Sequence, residues 1–459
     1  MLDLFLSRNG IEQKLAEVSR LDGNAYQHLL HRIDYYPIQR LKKTGRQILR
    51  RCLSRGLLAE LKNRKRVDDI VALINRPSGR KKILYVSVIP TFNLQRQSAH
   101  LRKTGQFETV LLTETPWLAG SMRPYFDTIY VYDSRYALSR ILQEAKPYLV
   151  HVQGTMGSSD YYGVLASLLS PSKTVFEFYD VQTLALAPAD AVELYGTMDA
   201  ELSIFSEKFV FDRCAGVVLG YSQEACRILK QRYNSNVPVL EFHNYVCDDF
   251  VCDGEGKYSD KDGKIHLVYG GNVAPSHLPT RLFGDVQFHP LINKVTSQGI
   301  CFDIFHSPHL SRIRAKQFLA DYLELSQTNR LFNLKHGLAP DVAPVEFAKY
   351  DFGAMIYLFD RGTFLDTHNQ TRLPGKIFTY LEAGLPIIIS EELRYPAQLV
   401  RDYEVGIVVS RKDLDRLADI MASCDMNKLR ANVKRARQEL SMARHVNRLT
   451  DFYAQVVGS

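Results

Sequence analysis

The feature that most constrains the fold of this chain is a regular alternation of apolar runs and helical segments, which begins at Lys81. The first run, Ile83 to Ile89, stops at Pro90, as expected of a strand that is buried on both faces. A helix over 95–104 and a strand over 108–113 follow. Strands that alternate with helices form parallel sheets covered by helices on both faces, so the sequence predicts an α/β fold. Further strands are predicted at 128–132, 148–152, 174–178, 216–219, 237–242, 265–269, 301–306, 387–389 and 406–409.

The length of 459 residues is enough for two or three domains, and 46% hydrophobic with 24% charged residues is typical of a globular protein. No segment reaches the ~20 uninterrupted apolar residues of a membrane span, and the first residues do not resemble a signal peptide. We therefore expect a cytoplasmic protein. Seven cysteines, an odd number, favour thiols in a reducing compartment. Cys247, Cys252 and His243 lack a fourth ligand at suitable spacing, so no metal site is predicted.

Basic charge is concentrated near the N-terminus. Residues 1–82 contain 19 Lys and Arg against 8 Asp and Glu, a net charge of +11, whereas the remainder carries −3. Leucines recur there at near-helical spacing. A basic amphipathic helix can lie on an anionic membrane surface, and a helical cap whose charges face water explains the pattern equally well. Aromatic residues do not alternate with the basic run, so nucleic acid is not an expected partner.

The stretch 368–390 predicts a binding site for an anion. A turn over 373–375 precedes a short helix that begins at Lys376, and a buried strand follows. The first N–H groups of this helix, from Gly375 to Ile377, are expected to lack internal partners, and the positive end of the helix dipole lies beside them. Arg372 and Lys376 add mobile cations at the same point. A diphosphate fits this description.

The string RLPGKIFTYLEAGLPIII over 372–389 resembles the donor-binding segment of GT-B glycosyltransferases of family 4. In that family a Pro-x-Lys-x-Phe-Glu-Tyr-x-x-x-Gly-x-Pro run binds the donor pyrophosphate through backbone amides, and its Glu holds the ribose hydroxyls. Thr379 occupies the position of that Glu here, and Glu382, on the same helix face, is the residue that could substitute. The resemblance further implies donor contacts from Thr371, Leu373, Pro374 and Gly375, with Arg372 and Lys376 at the leaving diphosphate.

Two other segments of the second half resemble parts of the same family. Tyr269-Gly270-Gly271-Asn272 resembles the YxGN opening of the C-terminal domain, and LFNLKHGLAPDVAPVEFAKYDFGAMIYL resembles the unit that reads the nucleobase. The resemblance implies that Gly270, Gly271 and Asn272 contact the donor, that His306 points into the crevice, and that Lys335, His336 and Gly337 are neighbours of the base.

Polar residues at strand ends in the first half are the candidates for the acceptor side, because open parallel sheets bind ligands at the carboxyl ends of their strands. Three loops are of interest, beginning at Pro90, His151 and Tyr179. Members of family 4 often carry a His at the position of Tyr179. Asp180 or His151 is therefore expected to act beside the acceptor hydroxyl.

The sequence thus predicts two doubly wound, Rossmann-like domains of the GT-B architecture with an N-terminal helical appendage. The predicted parts are a basic appendage (1–80), an acceptor domain (81–246), a linker (247–263), a donor domain (264–440) and the end of a long C-terminal helix that packs back on the first domain (441–459).

The resemblance implies transfer of a sugar from a UDP- or GDP-sugar to an acceptor hydroxyl, with retention of configuration and without an essential metal or other cofactor. The expected acceptor is a glycan, a lipid-linked molecule or a protein, in the synthesis of bacterial surface polysaccharide or glycoconjugates. The protein is expected to be peripheral on the inner face of the membrane. An oligomer is compatible with the sequence. Two alternatives stay open. One is a nucleotide-sugar 2-epimerase, which shares this architecture. The other is a catalytically silent partner subunit, favoured by Thr379 and by the lack of the Arg–Lys pair that many members place after YxGN.

Overall fold

The computed structural model describes residues 2–42, 64–132, 134–157, 159–254, 256–358 and 365–458. Within it the chain divides into two compact units. Unit 1 comprises residues 1–242 and 446–459, and unit 2 comprises residues 243–445. Much of the basic run near the N-terminus, residues 43–63, lies outside the described residues.

Unit 1 is built on a seven-stranded parallel sheet with the strand order β3-β2-β1-β4-β5-β6-β7. Its central strands are buried on both faces, as their apolar sequences predict. The strands are β1 (Lys81–Ser87), β2 (Phe107–Thr113), β3 (Thr128–Val131), β4 (Leu149–Gly154), β5 (Thr174–Phe178), β6 (Gly216–Leu219) and β7 (Val239–Glu241).

Helices cover both faces of this sheet and also account for most of the N-terminal segment. They are α1 (Leu2–Leu21), α2 (Gly23–Lys42), α3 (64–75), α4 (Phe92–Lys103), α5 (Pro116–Met122), α6 (Arg135–Glu144), α7 (Tyr161–Leu169), α8 (Gln182–Ala185), α9 (Pro188–Tyr195), α10 (Thr197–Arg213) and α11 (Gln223–Tyr233), with a 3-10 turn at Arg123–Tyr125.

The described N-terminal helices are part of the core of unit 1. Ile11, Leu15 and Val18 recur at helical spacing along α1, and all three are buried in the same apolar cluster as the sheet. Lys82, at the start of β1, donates hydrogen bonds to three carbonyl groups at the end of α3, including that of Ile74. The apolar face of α1 is therefore used inside the protein.

Unit 2 contains a six-stranded parallel sheet with the order β10-β9-β8-β11-β12-β13. Two parallel sheets flanked by helices are the architecture that the sequence predicts, and the α/β fold class with its N-terminal helices is confirmed. The strands are β8 (His266–Gly271), β9 (Cys301–His306), β10 (Phe332–Lys335), β11 (Phe352–Met355), β12 (Ile387–Ser390) and β13 (Gly406–Val409).

The helices of unit 2 follow its strands, and the last of them returns to unit 1. They are α12 (Ser259–Asp262), α13 (Thr280–Phe283), α14 (His289–Thr296), α15 (Arg312–Phe318), α16 (Ala320–Thr328), α17 (Ala343–Phe347), α18 (Leu365–Thr371), α19 (Lys376–Glu382), α20 (Arg394–Asp402), α21 (Leu417–Ala422), α22 (Met426–Glu439) and α23 (Met442–Gly458), with 3-10 turns at Asp248–Phe250, Gly284–Val286 and Arg411–Arg416.

Two segments differ from the sequence-based expectation. The stretch 247–263, expected as a linker, lies in unit 2, where Cys247 is fully buried and its N–H donates to Glu382. The final helical stretch is broken at Leu440 because Val246 pairs there: its N–H donates to the Leu440 carbonyl, and its own carbonyl accepts from Met442. Among the described residues, no helix has the length and apolar composition to span a membrane.

Candidate functional site

The ammonium group of Lys376 lies at the carboxyl edge of the sheet of unit 2. Its Nζ atom donates hydrogen bonds to the hydroxyl of Tyr269, at the end of β8 (3.0 Å), and to that of Tyr357, just after β11 (2.6 Å). Nζ also lies 4.5 Å and 5.2 Å from the centroids of the same two rings. A Cβ atom on Gly271 would come within 3.3 Å of Nζ, so the glycine leaves room beside the charge. A cation is thus held where parallel sheets bind ligands.

The surroundings of Lys376 disfavour its charge. Burial, with a smaller contribution from the nearby charge of Arg372, lowers the pKa of Lys376 to about 7 against the opposing effect of Asp285. Of the side chains that the structure describes, none brings a carboxylate within ion-pair distance of Nζ. An anion placed beside Lys376 would therefore stabilise the ammonium form.

The turn before α19 is tighter than the sequence suggests. The expectation that the Ile377 N–H lacks a partner is wrong, because it donates to the Pro374 carbonyl at 3.2 Å. Gly375 is buried and its carbonyl accepts from Phe378 and Thr379, so the helix starts with a 3-10-type turn. Among the described residues, the N–H groups of Gly375 and Lys376 have no backbone acceptor.

The residues before this turn are mostly held inside unit 2. Thr371 is buried and its hydroxyl donates to the Thr367 carbonyl (2.7 Å), and Leu373 is buried as well. Arg372 is half-buried and its guanidinium lies 3.3 Å from Nε2 of His368. Arg372 is therefore the second cation at this edge.

The two residues expected at the ribose are placed differently. Thr379 is half-buried in the middle of α19, and its backbone N–H bonds to Gly375. Glu382 is fully buried, and its Oε1 accepts the N–H of Cys247 at 2.8 Å. A carboxylate enclosed in this way anchors the start of unit 2 and does not face solvent, which leaves Thr379 as the more exposed of the pair.

The glycines at the end of β8 have separate roles. A Cβ atom on Gly270 would meet the ring of Phe347 at 2.7 Å, so Gly270 allows close packing. Asn272 is exposed, and its carbonyl accepts the hydroxyl of Tyr269 at 3.0 Å. Tyr269 thus links the strand end to Lys376.

His306 and His336 lie together at the ends of β9 and β10. The Nδ1 atom of His336 is 3.2 Å from Nε2 of His306, and Nδ1 of His306 bonds to the Ser307 carbonyl (2.9 Å). Burial lowers the pKa of both imidazoles, which favours their neutral forms. A Cβ atom on Gly337 would lie 2.1 Å from the carbonyl oxygen of His306, so only glycine allows the two loops to pack.

Lys335 does not reach the open edge as a free cation. Its Nζ forms an ion pair with Asp303 (2.6 Å) and donates to the hydroxyl of Tyr350 (3.0 Å). Nζ also lies 5.3 Å from the centroid of Phe305. These contacts account for its charge within unit 2.

In unit 1, His151 lies inside β4. The sequence-based expectation had placed it at the start of a loop after the strand. It is fully buried, with Nδ1 2.6 Å from the hydroxyl of Tyr453 and Nε2 3.0 Å from Glu177. Glu177 also accepts hydrogen bonds from the amides of Asn93, Gln97 and Gln153 (3.1, 2.8 and 3.1 Å). His151 is therefore enclosed by a hydrogen-bonded network of α4, β4, β5 and α23.

Asp180 follows β5 at the carboxyl edge of unit 1 and is half-buried. A second carboxylate, Asp160, lies near it at the start of α7. Asp160 accepts a short hydrogen bond from Ser203, and burial, opposed by that bond, raises its pKa to about 8 with a further contribution from Asp180. A cavity of about 10 Å³ beside Asp160 is also lined by Arg32. Sequence reasoning missed Asp160, although an acid in a Gly- and Ser-rich loop after a buried strand is a usable signal.

A larger cavity of about 530 Å³ opens at the carboxyl ends of β12 and β13, and sequence reasoning missed it too. Ser390, which accepts a hydrogen bond from the Tyr357 N–H (3.0 Å), joins this region to the surroundings of Lys376. The cavity is lined by Glu391, Glu392, Ser410, Arg411 and Lys412.

The chain is similar to glycosyltransferases in two independent comparisons. Residues 313–451 match the family model described as the C-terminal domain of glucosyltransferase 3-like proteins. No curated protein sequence matches the chain significantly.

Among solved structures, the chain is similar to HepE of Anabaena in complex with UDP (12% identity, 82% of this chain and 100% of that chain, TM-score 0.55). It is also similar to sucrose-phosphate synthase of Thermosynechococcus elongatus (12%, 82% and 99%, TM-score 0.54) and to a glycosyltransferase of Rickettsia africae (12%, 83% and 99%, TM-score 0.55). At this identity the structures show the fold, and the family model adds the enzyme class. The comparisons confirm the prediction of a glycosyltransferase with the GT-B fold and leave its place in family 4 as a prediction.

Proposed function

We propose that unit 2 binds a nucleoside diphosphate sugar, with UDP or GDP as the nucleotide, and that the protein transfers the sugar to an acceptor hydroxyl. The observation that carries this proposal is the position of Lys376: a desolvated ammonium at the carboxyl edge of a parallel sheet, held by Tyr269 and Tyr357 without a described carboxylate partner. A desolvated ammonium without a carboxylate partner is stabilised electrostatically when an anion binds beside it.

The chemistry of the transfer follows from this charge. The diphosphate gains negative charge as the bond to the sugar breaks, and fixed cations stabilise that charge without reorganising. Lys376 would contact the phosphates, with Arg372 as the second cation and the N–H groups of Gly375 and Lys376 as further donors. This donor set makes a divalent metal dispensable, and we propose a metal-independent reaction that retains the configuration of the sugar.

We assign the sugar and the nucleotide to the same edge of the sheet. The cavity of about 530 Å³ beyond Ser390 has the polar lining that sugar hydroxyls require, and we assign the sugar to it. The loops that carry His306, His336 and Gly337 border the nucleobase in this proposal. Because HepE was solved with UDP, UDP is the first nucleotide to test.

The acceptor is assigned to unit 1. Asp180 is the proposed contact of the acceptor hydroxyl, since it is half-buried after β5, whereas His151 is enclosed and would position its neighbours. Acceptors of bacterial surface glycan or glycoconjugate synthesis are the proposed class.

Calorimetric titration with UDP and with GDP tests donor binding. Wild-type protein should bind at least one of the two nucleotides, and Lys376→Met should not. Lys349→Met is the matched control, because Lys349 is half-buried in the same unit and forms its ion pair with nearby Glu346. If neither nucleotide binds, or if the Lys376 variant binds as wild type does, the proposal is wrong.

A contact of the basic N-terminal segment with anionic membrane is a separate part of the proposal. It is supported by the net charge of +11 over residues 1–82. Since α1 belongs to the core of unit 1, deleting the segment would unfold the protein, and charge reversal of Arg50, Arg51 and Arg55 is the better variant. Co-sedimentation with anionic vesicles should be lost in that variant. Sedimentation equal to wild type would refute the contact.

A catalytically silent partner subunit is the second candidate, and one observation favours it. The family's ribose carboxylate is replaced by Thr379, and the structure encloses Glu382 with Cys247. Mass spectrometry of a UDP-sugar incubated with the protein separates the two. Release of UDP that disappears in Lys376→Met supports the enzyme, and nucleotide binding without any turnover, with a panel of sugars and acceptors, supports the silent subunit.

A further inference from the structure

A group of three metal-ligand side chains lies at the opposite edge of the unit 2 sheet, where β8 and β9 begin. His266 and Cys301 are register partners on these parallel strands, so their side chains lie side by side on one face. Asp262, four residues before His266, is brought back to the same point by Gly263, whose φ of +69° turns the chain after α12. One ligand atom of each of the three residues lies within 4.8 Å of the others.

The chemistry of this group is that of a zinc-type site. It offers an imidazole nitrogen, a thiol sulfur and a carboxylate oxygen, a set that Zn²⁺ and Co²⁺ prefer and that Mg²⁺ and Ca²⁺ do not. In a tetrahedral zinc site the ligand atoms are about 3.5 Å apart, so none of the separations, all within 4.8 Å, has to close by more than about 1.3 Å. Part of the group is already assembled, because Nε2 of His266 lies 3.1 Å from Oδ1 of Asp262.

Neighbouring residues hold the imidazole in place. The side chain of His266 is only 13% exposed, and its ring lies 5.5 Å from that of Tyr258 and 6.5 Å from that of Tyr350. Its backbone N–H donates to Asp351. A ligand whose ring cannot rotate freely loses little entropy when a cation binds.

We propose that Asp262, His266 and Cys301 bind one thiolate-preferring divalent cation, with Zn²⁺ as the physiological candidate and water in the remaining position. On binding, the thiol of Cys301 loses its proton to solvent and its sulfur bonds to the cation. The proton on Nε2 of His266 moves to Nδ1 through solvent, so that the Nε2 lone pair can bond, and the carboxylate of Asp262 exchanges that N–H for the cation. Each cation bound therefore releases a single proton.

This site is distinct from the proposed donor site. It lies at the amino ends of β8 and β9, whereas Lys376 lies at the carboxyl edge of the same sheet. The cation would fasten the segment around α12 to the beginning of the sheet. We therefore expect it to raise the thermal stability of the protein and to leave the affinity for UDP unchanged.

Titration of the metal-free full-length protein with Co²⁺ tests the proposal directly, since thiolate coordination gives a near-ultraviolet charge-transfer band and a tetrahedral site gives intense visible bands. Wild type should show both with a single equivalent bound, and Zn²⁺ should abolish them by displacement. Cys301→Ser should lose the charge-transfer band. Cys424→Ser is the matched control, since Cys424 is a half-buried cysteine of the same unit whose thiol donates to the Ile420 carbonyl, and it should behave as wild type.

Other outcomes overturn the proposal. Absence of the charge-transfer band in wild type would do so, and so would a band that survives in Cys301→Ser. His266→Gln keeps the test valid if Cys301→Ser proves unstable, because it should weaken Co²⁺ binding at least tenfold while keeping the thiol.

Discussion

Glu177 in unit 1 and Lys376 in unit 2 are both ionisable groups held at the carboxyl half of a parallel sheet, but their partners differ. Glu177 accepts four hydrogen bonds, from His151, Asn93, Gln97 and Gln153. Burial alone would raise its pKa, and the hydrogen bonds, that of His151 foremost, hold the pKa below the ordinary value. Its charge is fully compensated by the protein.

Lys376 shows the opposite arrangement. Two tyrosine hydroxyls accept its hydrogen bonds, and burial lowers its pKa to about 7. A charge that the protein compensates completely stabilises the fold, whereas a charge that it leaves under-compensated costs stability and is available to a ligand. By this criterion Glu177 is a structural group and Lys376 is a binding group.

Removing Glu177 is expected to have the largest effect. Glu177→Ala leaves buried donors on His151 and three amides without acceptors, so it should lower the free energy of unfolding by about 3–5 kcal/mol. Urea denaturation measures this value. Glu201→Ala, at an exposed position of α10, is the control and should change it by less than about 0.5 kcal/mol. Equal stability of the two variants would mean that the network is not structural.

Removing the charge of Lys376 should act in the other direction on stability. Lys376→Met fills a similar volume without a desolvated ammonium, so it should raise the free energy of unfolding by about 1–3 kcal/mol while abolishing UDP binding. Thermal denaturation with and without UDP measures both quantities. A variant that is less stable than wild type would show that Lys376 holds the fold together, and the contrast with Glu177 would then fail.

Much of the fold could be predicted because apolar runs are a local signal. The strand predicted at 301–306 coincides with β9, and that at 216–219 with β6. The break at Leu440 could not be predicted, since it arises from pairing with Val246, almost two hundred positions earlier in the chain. Amphipathic spacing continues across the break and does not reveal it.

The sequence located Lys376 by its neighbours along the chain, but it could not show that Tyr269 and Tyr357, from other parts of the chain, accept hydrogen bonds from Nζ. Glu177 was also missed in favour of Asp180. A usable signal existed, because a carboxylate inside the run Val175 to Phe178 must be buried and therefore needs several donors. What a single sequence omits is the identity of those donors.

The pH dependence gives a sharper test of the same contrast. The pKa of Lys376 is about 7 in the folded free protein and near 10 in the unfolded chain. Between these two pH values the unfolded chain binds more protons at this residue than the folded protein does. The contribution of Lys376 to the free energy of unfolding therefore rises with pH over this range. A bound diphosphate raises this pKa, so UDP affinity should fall as pH rises above about 7, by up to about tenfold per pH unit.

Calorimetry in buffers of different ionisation enthalpy should detect proton uptake on UDP binding at pH 8. The pH dependence of stability is read as the difference between wild type and Lys376→Met, because burial also lowers the pKa of Lys257 and raises the pKa of Asp160, in both cases to about 8. Binding without proton uptake would show that Lys376 is already charged in the free protein.

The smallest expected effect concerns the partner of the ammonium. Tyr357→Phe removes the acceptor that lies 2.6 Å from Nζ, so the charged form of Lys376 loses one hydrogen bond. UDP affinity at pH 7 should fall by about 0.5–1.5 kcal/mol, and the pH at which affinity begins to decline should move down. Tyr403→Phe, at a half-buried position elsewhere in unit 2, is the control and should leave affinity unchanged. An unchanged pH profile in Tyr357→Phe would mean that this hydroxyl does not stabilise the charged form of Lys376 in the free protein.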